Sequence, residues 1–294
     1  MTWGRGTDVP GATKQLNMFL DAGGTLVEAS SAYGDWNAQL ILGDLLRGGA
    51  PREEIVLAVT GGPDASRRGL LADLDGSLER LGTDHVDLFL VGCPDPGTPL
   101  TETVGALRHA VTSGRTRYVG LSNHPGWALA RVASLLQAQP GDVGLTAQGV
   151  EYSLLQRGAE REVQPAALAL GAGLLAWSPQ GRGVLTGKYR HTIPTDSRAA
   201  SSQFARFVDP YLTGASLRVV EAVATASSGL GRACGEVALA WLLARPGLAA
   251  AVVGARTPAQ LKQSLAAAEL VLPAEVHAAL DDVSAIEIGY PERW

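Results

Sequence analysis

The stretch EIVLAVTGGPDASRRGLLADLDGSLERLGTDHVDLFLV, residues 54–91, decides the fold. Its first seven residues are a nearly continuous aliphatic run, the pattern of a strand buried on both faces. Leu70, Leu71, Leu74, Leu78 and Leu81 then recur at helical spacing and mark the apolar stripe of an amphipathic helix whose charged faces point to water. HVDLFLV, 85–91, is a second buried strand. Strand, helix, strand reads as a parallel pair joined by a right-handed crossover.

The same alternation extends both ways. TLVEA (25–29) is a short β-prone run, followed by a loop that starts at Tyr33 and Gly34. Asn37 is placed to cap a helix carrying Leu40, Ile41, Leu45 and Leu46 on one face and stopped at Gly48 and Gly49. Downstream, YVGLS (118–122), LTAQGVEY (145–152), GLLAW (173–177) and AAAVVG (249–254) read as strands. Helices are expected around Val104–Val111, Trp127–Gln139, Glu160–Leu170 and Pro258–Ala268. Consecutive helical patterns at 217–226 and 237–244 make one of them an addition to the alternation, and the polar stretch from Ser178 to Thr213 reads as a loop over the mouth. A (β/α)8 TIM barrel is the nearest closed architecture. An open doubly wound sheet is the alternative, and the missing GxGxxG after the first strand weakens it.

No linker-like composition divides the 294 residues, so 1–294 is read as a single barrel domain. Hydrophobic residues make up 46% and charged residues 18%, enough apolar surface for a large core. The net charge of −5 argues against nucleic acid or an anionic membrane as partner. Two cysteines, Cys93 and Cys234, give neither a disulfide framework nor a zinc site, and Asp, Glu and His lack metal-ligand spacing. Both cysteines read as packing residues. With no secretion signal and no apolar run longer than Ala166–Trp177, a cytoplasmic protein is expected.

Five strings occur in order, each at the C-terminal end of an expected strand: GGTLVEASSAYG (23–34), GLSNH (120–124), QGVEYSLLQRGAE (148–160), LLAWSPQGRGVLTGKY (174–189) and VVGARTPAQL (252–261). Together they resemble the aldo-keto reductase family over nearly the whole chain. The resemblance implies a barrel that binds NADP(H) without a Rossmann motif and acts on a small-molecule carbonyl substrate. It gives Ser122, Asn123 and Gln148 to the nicotinamide carboxamide, and Trp177 to the face of the nicotinamide ring. Ser178, Gly181, Gly183 and Leu185 fall in the loop that straps the pyrophosphate. Gly254, Arg256, Gln260 and Ser264 fall in the segment that holds the adenosine 2′-phosphate and adenine, with Ser264 where the family usually has asparagine. Independently of the family, Thr257 is a good N-cap and Pro258 a good first helical residue, so unpaired N–H groups open beside Arg256.

The family's chemistry uses an Asp, a Tyr, a Lys and a His, and here the pattern breaks. Tyr33 is present. The resemblance puts Glu28 at the Asp place, Thr60 at the Lys place and Gly92 at the His place. Three functions are weighed: a weakened carbonyl reductase, altered acid/base chemistry by Glu28 and Tyr33, and an inactive NADP(H)-binding sensor or interaction protein. Trp36, Gly92 and His124 are candidate substrate contacts, Trp127 a further rim residue. Met1 opens inside the C-terminal end of the family's first strand, so either the start lies upstream, the preferred reading, or the first strand is truncated. Nothing in the sequence speaks to oligomeric state.

Overall fold

Aliphatic runs flanked by turn residues become the strands of the fold. The computed structural model describes residues 2–138, 141, 143–195, 197–202 and 204–290. Among the described residues there are seven strands: β1 (Leu26–Ser30), β2 (Val56–Thr60), β3 (Val86–Val91), β4 (Thr116–Ser122), β5 (Leu145–Glu151), β6 (Gly173–Trp177) and β7 (Leu248–Val252). They form one sheet in sequence order from β1 to β7. The first four pairs are parallel, with Ser30 opposite Thr60 and Thr60 opposite Leu90. This is the (β/α)8 TIM-barrel fold expected from the sequence. The expectation for the first strand turned on Met1, which lies outside the described residues.

The helices are α1 (Val9–Asp21), α2 (Asn37–Arg47), α3 (Arg67–Leu81), α4 (Leu100–Thr112), α5 (Gly126–Gln137), α6 (Val163–Leu170), α7 (Ala205–Val208), α8 (Gly214–Leu230), α9 (Cys234–Leu243), α10 (Pro258–Ala266) and α11 (Ala274–Val283). The described residues fall into two compact units. One comprises Met1–Val150, Glu162–Leu175 and Gly254–Leu261; the other comprises Glu151–Arg161, Ala176–Val253 and Lys262–Trp294. In the first, Leu57, Ala58, Val59, Val91, Val119 and Leu121 are wholly buried, as strands covered on both faces require.

Several local readings change. Asn37 is the first residue of α2 and not its cap; its Nδ2 donates to Gly34 O at 2.7 Å, and Trp36 occupies the cap position. The buried face of α2 is Ala38, Gln39, Ile41, Leu42 and Gly43, while Leu40 is exposed. The reason is Gly43: a β-carbon there would overlap the Arg80 carbonyl, so α2 packs on α3 through its small residues. The helix expected from Glu160 is a 3-10 turn, Gly158–Glu160, followed by α6. The Ser178–Thr213 stretch is not a bare loop, since it holds 3-10 turns at Gly181–Thr186, Arg198–Ala200 and Asp209–Tyr211 besides α7. Its Asp196 and Gln203, and the end of α5 expected at Gln139, lie outside the described residues. Helix α1 went unread, although Asp8 caps it by accepting from Gly11 N at 2.9 Å.

Candidate active site

Strands β1, β2 and β3 end in one row, and the row decides which side chains meet. Glu28 of β1 receives the Thr60 hydroxyl, Oγ1 to Oε1 2.8 Å. Its second oxygen, Oε2, is sealed from solvent and has no hydrogen-bond partner. Among the described residues no cation forms an ion pair with this carboxyl. Burial therefore raises the Glu28 pKa, with Thr60 and then Tyr33 opposing. The Tyr33 hydroxyl lies beside Glu28, and its pKa is pushed well above the ordinary phenol value by burial first and the Glu28 charge second. Burial thus disfavours the ionised form of either group.

Tyr33 is held there by a tight turn. Its amide donates to Ser30 O at 3.0 Å, and the next three residues, Gly34, Asp35 and Trp36, have φ of +64°, +54° and +70°. Left-handed geometry at two non-glycine residues costs about 1–3 kcal/mol each and persists only where neighbours impose it. The Asn37 amide on Gly34 O and the exposed Arg5–Asp35 pair at 3.3 Å are those neighbours. Trp36 is 54% exposed and lies against the Arg80 guanidinium at 5.4 Å, so one indole face is turned to α3. Trp127 is also exposed, its amide donating to Glu162 Oε1 at 2.7 Å.

At Gly92 the backbone itself fills the side-chain direction. A β-carbon there would overlap the carbonyl oxygen of Gly61. The Gly61–Gly62 turn is fixed from behind, Gly61 N donating to Leu90 O at 2.9 Å and Gly62 N to Asp73 Oδ2 at 2.6 Å. Gly92 O in turn accepts from Asn123 Nδ2 at 2.9 Å.

Asn123 follows β4 with φ +59° and donates its amide to Gly149 O at 2.8 Å. Ser122 is buried beside Gly149, where a β-carbon would come within 2.5 Å of its Oγ. Gln148 is 0% exposed; its Nε2 donates to His124 O at 2.9 Å, while Oε1 is sealed without a partner. Ser122, Asn123 and Gln148 thus lie on or just after the neighbouring strands β4 and β5, with Leu121 opposite Gln148 and Ser122 opposite Gly149. His124 does not line an open mouth. It is 3% exposed, and its Nδ1 lies 2.7 Å from Ser122 O, an acceptor, so Nδ1 carries the proton. Burial lowers its pKa and keeps it neutral.

Also in the first unit, Thr257 caps α10 by accepting from Gln260 N at 3.3 Å, as its residue type suggested. Gln260 Oε1 accepts from Arg256 N at 2.8 Å. Gly254 is exposed, with open space where a β-carbon would stand. Ser264, farther along α10 and in the second unit, is half-buried.

In the second unit, Trp177 ends β6 and is half-buried. Ser178, Gly181, Arg182 and Gly183 all have positive φ, and Leu185 is wholly buried. The residue that organises this strap was missed. Arg182 forks onto Glu151 at 2.7 and 2.6 Å, donates to Phe207 O, and lies over the rings of Phe207 and Tyr211 at 3.9 and 4.9 Å. Burial, followed by the Glu151 charge, pushes the Tyr211 phenol up to about 12. The signal in the sequence was a lone arginine between two glycines, where a left-handed turn needs none.

Tyr33, the sealed Glu28 carboxyl, Ser122 and Asn123 thus stand at or just beyond the C-terminal strand ends of a TIM barrel, where such barrels build their active sites. The chain belongs to the aldo/keto reductase family, whose model matches residues 1–285. Members of that family generally use NAD(P)H. The chain is 34% identical to the "Uncharacterized oxidoreductase YrpG" of Bacillus subtilis (strain 168), over 96% of this chain and 90% of that protein. It is 30% identical to a "Probable voltage-gated potassium channel subunit beta" of Oryza sativa subsp. japonica, over 100% and 92%. It is 31% identical to the "L-glyceraldehyde 3-phosphate reductase" of Escherichia coli (strain K12), over 86% and 77%.

Proposed function

We propose that this chain is an NADP(H)-dependent reductase of small, reactive carbonyl compounds in the cytoplasm, with weakened proton delivery. The observation that carries the reading is the sealed, unpartnered Oε1 of Gln148 beside Ser122 and Asn123. An orphaned buried acceptor costs free energy, and a carboxamide N–H would satisfy it. On this reading Ser122, Asn123 and Gln148 hold the nicotinamide carboxamide and Arg256 holds the 2′-phosphate at the start of α10. By resemblance, Trp177 is given to the ring, Ser178, Gly181, Gly183 and Leu185 to the pyrophosphate, and Gly254, Gln260 and Ser264 to the adenosine end.

When bound, the cofactor supplies hydride to the carbonyl carbon. Tyr33 donates its phenolic proton to the carbonyl oxygen, and Glu28 beside it returns a proton to Tyr33 while Thr60 stabilises the carboxylate left behind. Without a lysine at Thr60 or a histidine at Gly92 the phenol is not tuned towards neutral pH. The general-acid share, roughly 10²–10⁴-fold, is then only partly realised, and electrophilic aldehydes are favoured. A panel that includes glyceraldehyde 3-phosphate, following the relative of that activity, is the natural starting set.

The second reading is an NADP(H) sensor that binds without turning over. The closed side-chain direction at Gly92 favours it, as does the likeness to a channel β-subunit. Titration of intrinsic fluorescence with NADPH, followed by cofactor oxidation across the panel, separates the two. Binding with turnover supports the reductase and binding alone the sensor, while no binding removes both.

A further inference from the structure

The first residues of the chain form a small knot. The amides of Arg5, Gly6 and Thr7 all donate to Thr2 O, at 3.1, 2.9 and 3.1 Å, and Gly4 N donates to Thr7 O at 3.0 Å. The knot has two faces. On one, Gly4 backs onto Asn37, where a β-carbon would come within 2.5 Å of Asn37 Cβ, and Trp3 O sits over Gly34. The knot is thereby seated against the Tyr33 turn. On the other face, the Thr2 hydroxyl donates to Ala255 O at 2.9 Å and the Thr7 hydroxyl to Arg256 O at 3.0 Å. Behind them Gln15 of α1, 4% exposed, donates Nε2 to Ala255 O at 3.3 Å and accepts Trp3 Nε1 at 2.7 Å.

The peptide of Arg256 is therefore pinned at both ends, its N–H by Gln260 and its carbonyl by Thr7, with the preceding carbonyl held twice over. A guanidinium that starts from a fixed backbone loses less freedom when it engages a ligand. We propose that Thr7 and Gln15 are positioning residues that set the aim of Arg256 at a 2′-phosphate, so that they determine preference for NADPH over NADH. This rests on the NADP(H) reading above. Neither residue touches the cofactor in the proposal; each acts through a backbone carbonyl of the Ala255–Arg256 segment.

NADH has no 2′-phosphate, so it separates aim from general folding. In the full-length protein, Thr7→Val keeps the shape of the side chain and removes the hydroxyl, and with it the bond to Arg256 O. The expected result, by fluorescence titration, is a Kd for NADPH raised about 5- to 10-fold with the NADH value within about 2-fold. Thr7→Ser restores the hydroxyl and should return the NADPH value. Gln15→Leu should act in the same direction, and 2′,5′-ADP should report the same loss as NADPH. Equal weakening of both coenzymes, an unchanged NADPH value, or failure of Thr7→Ser to rescue overturns the proposal. A wild-type protein that binds neither coenzyme overturns the NADP(H) reading and this inference with it. Wild-type binding with unaltered selectivity in the variants overturns this inference alone.

Discussion

The carbonyl oxygen of Gly61 occupies the space into which a side chain on Gly92 would grow. The glycine at the end of β3 is therefore required by its neighbour. The turn that presses on it is held by Asp73 on Gly62 N and by the ladder bond from Gly61 to Leu90, so it has little room to retreat. Installing the family's histidine with Gly92→His is expected to destabilise the fold by at least about 2–3 kcal/mol, and not to restore catalysis. Gly92→Ala should already cost most of that. Urea denaturation of both variants checks it; a Gly92→His protein as stable as the parent would mean that the Gly61 turn moves aside easily.

Glu28 links the same site to pH. Its folded pKa is raised, so the stability associated with its protonated form is complete below the ordinary carboxylate value and is lost as pH rises through the folded value. Glu28→Gln removes the ionisation and keeps an acceptor for Thr60. The variant should melt higher than the parent at pH 7–8, with the gap closing as pH falls below about 4. Melting curves across that range decide the matter, and a gap that widens in acid would mean a carboxylate stabilised in the fold.

Tyr33 carries the chemistry in the proposed reductase. With its pKa pushed well above the phenol value, it keeps its proton across the working range. The rate of aldehyde reduction should therefore stay flat from pH 6 to about 9 rather than fall on the alkaline side. Because the general-acid share is only partly realised, Tyr33→Phe should lower kcat by about 10²-fold or less, with NADPH affinity nearly unchanged. Steady-state kinetics beside cofactor titration separates the two effects.

Much of this was legible in the sequence, and the losses have physical causes. VLAV and VDLFLV become β2 and β3 within a residue or two because continuous aliphatic runs have one use in a parallel sheet. Thr257 and Pro258 start α10 as their chemistry dictates. The face of α2 was misread because apolar periodicity gave weight to Leu40, whereas a backbone approach at Gly43 sets the packing. Ser122, Asn123 and Gln148 fall on or just after the neighbouring strands β4 and β5, but the burial of His124 depends on a carbonyl two residues away. Gly92 read as a missing histidine; that a distant glycine carbonyl fills the gap is a property of the register between β2 and β3.

Arg182 shows the same limit at longer range, since its partner Glu151 lies 31 residues away on another element. Both side chains are largely buried, at 15% and 14% exposure, and the arginine supplies the only ion pair given to that carboxylate among the described residues. Removing it leaves a buried charge beside the Tyr211 hydroxyl, and removes the cation stacked on Phe207 and Tyr211. Arg182→Met keeps the hydrophobic stem, so the loss isolates charge and hydrogen bonds. A cost of about 3–5 kcal/mol is expected, as when one partner of a buried pair is deleted. Arg182→Met together with Glu151→Gln should recover part of it, because the stranded charge goes with its partner. Amide hydrogen exchange should register the change first in Gly181–Thr186, where successive left-handed residues rely on that anchor. If exchange there stays at the parental rate while the protein still unfolds at lower urea, Arg182 serves the unit as a whole and not the strap.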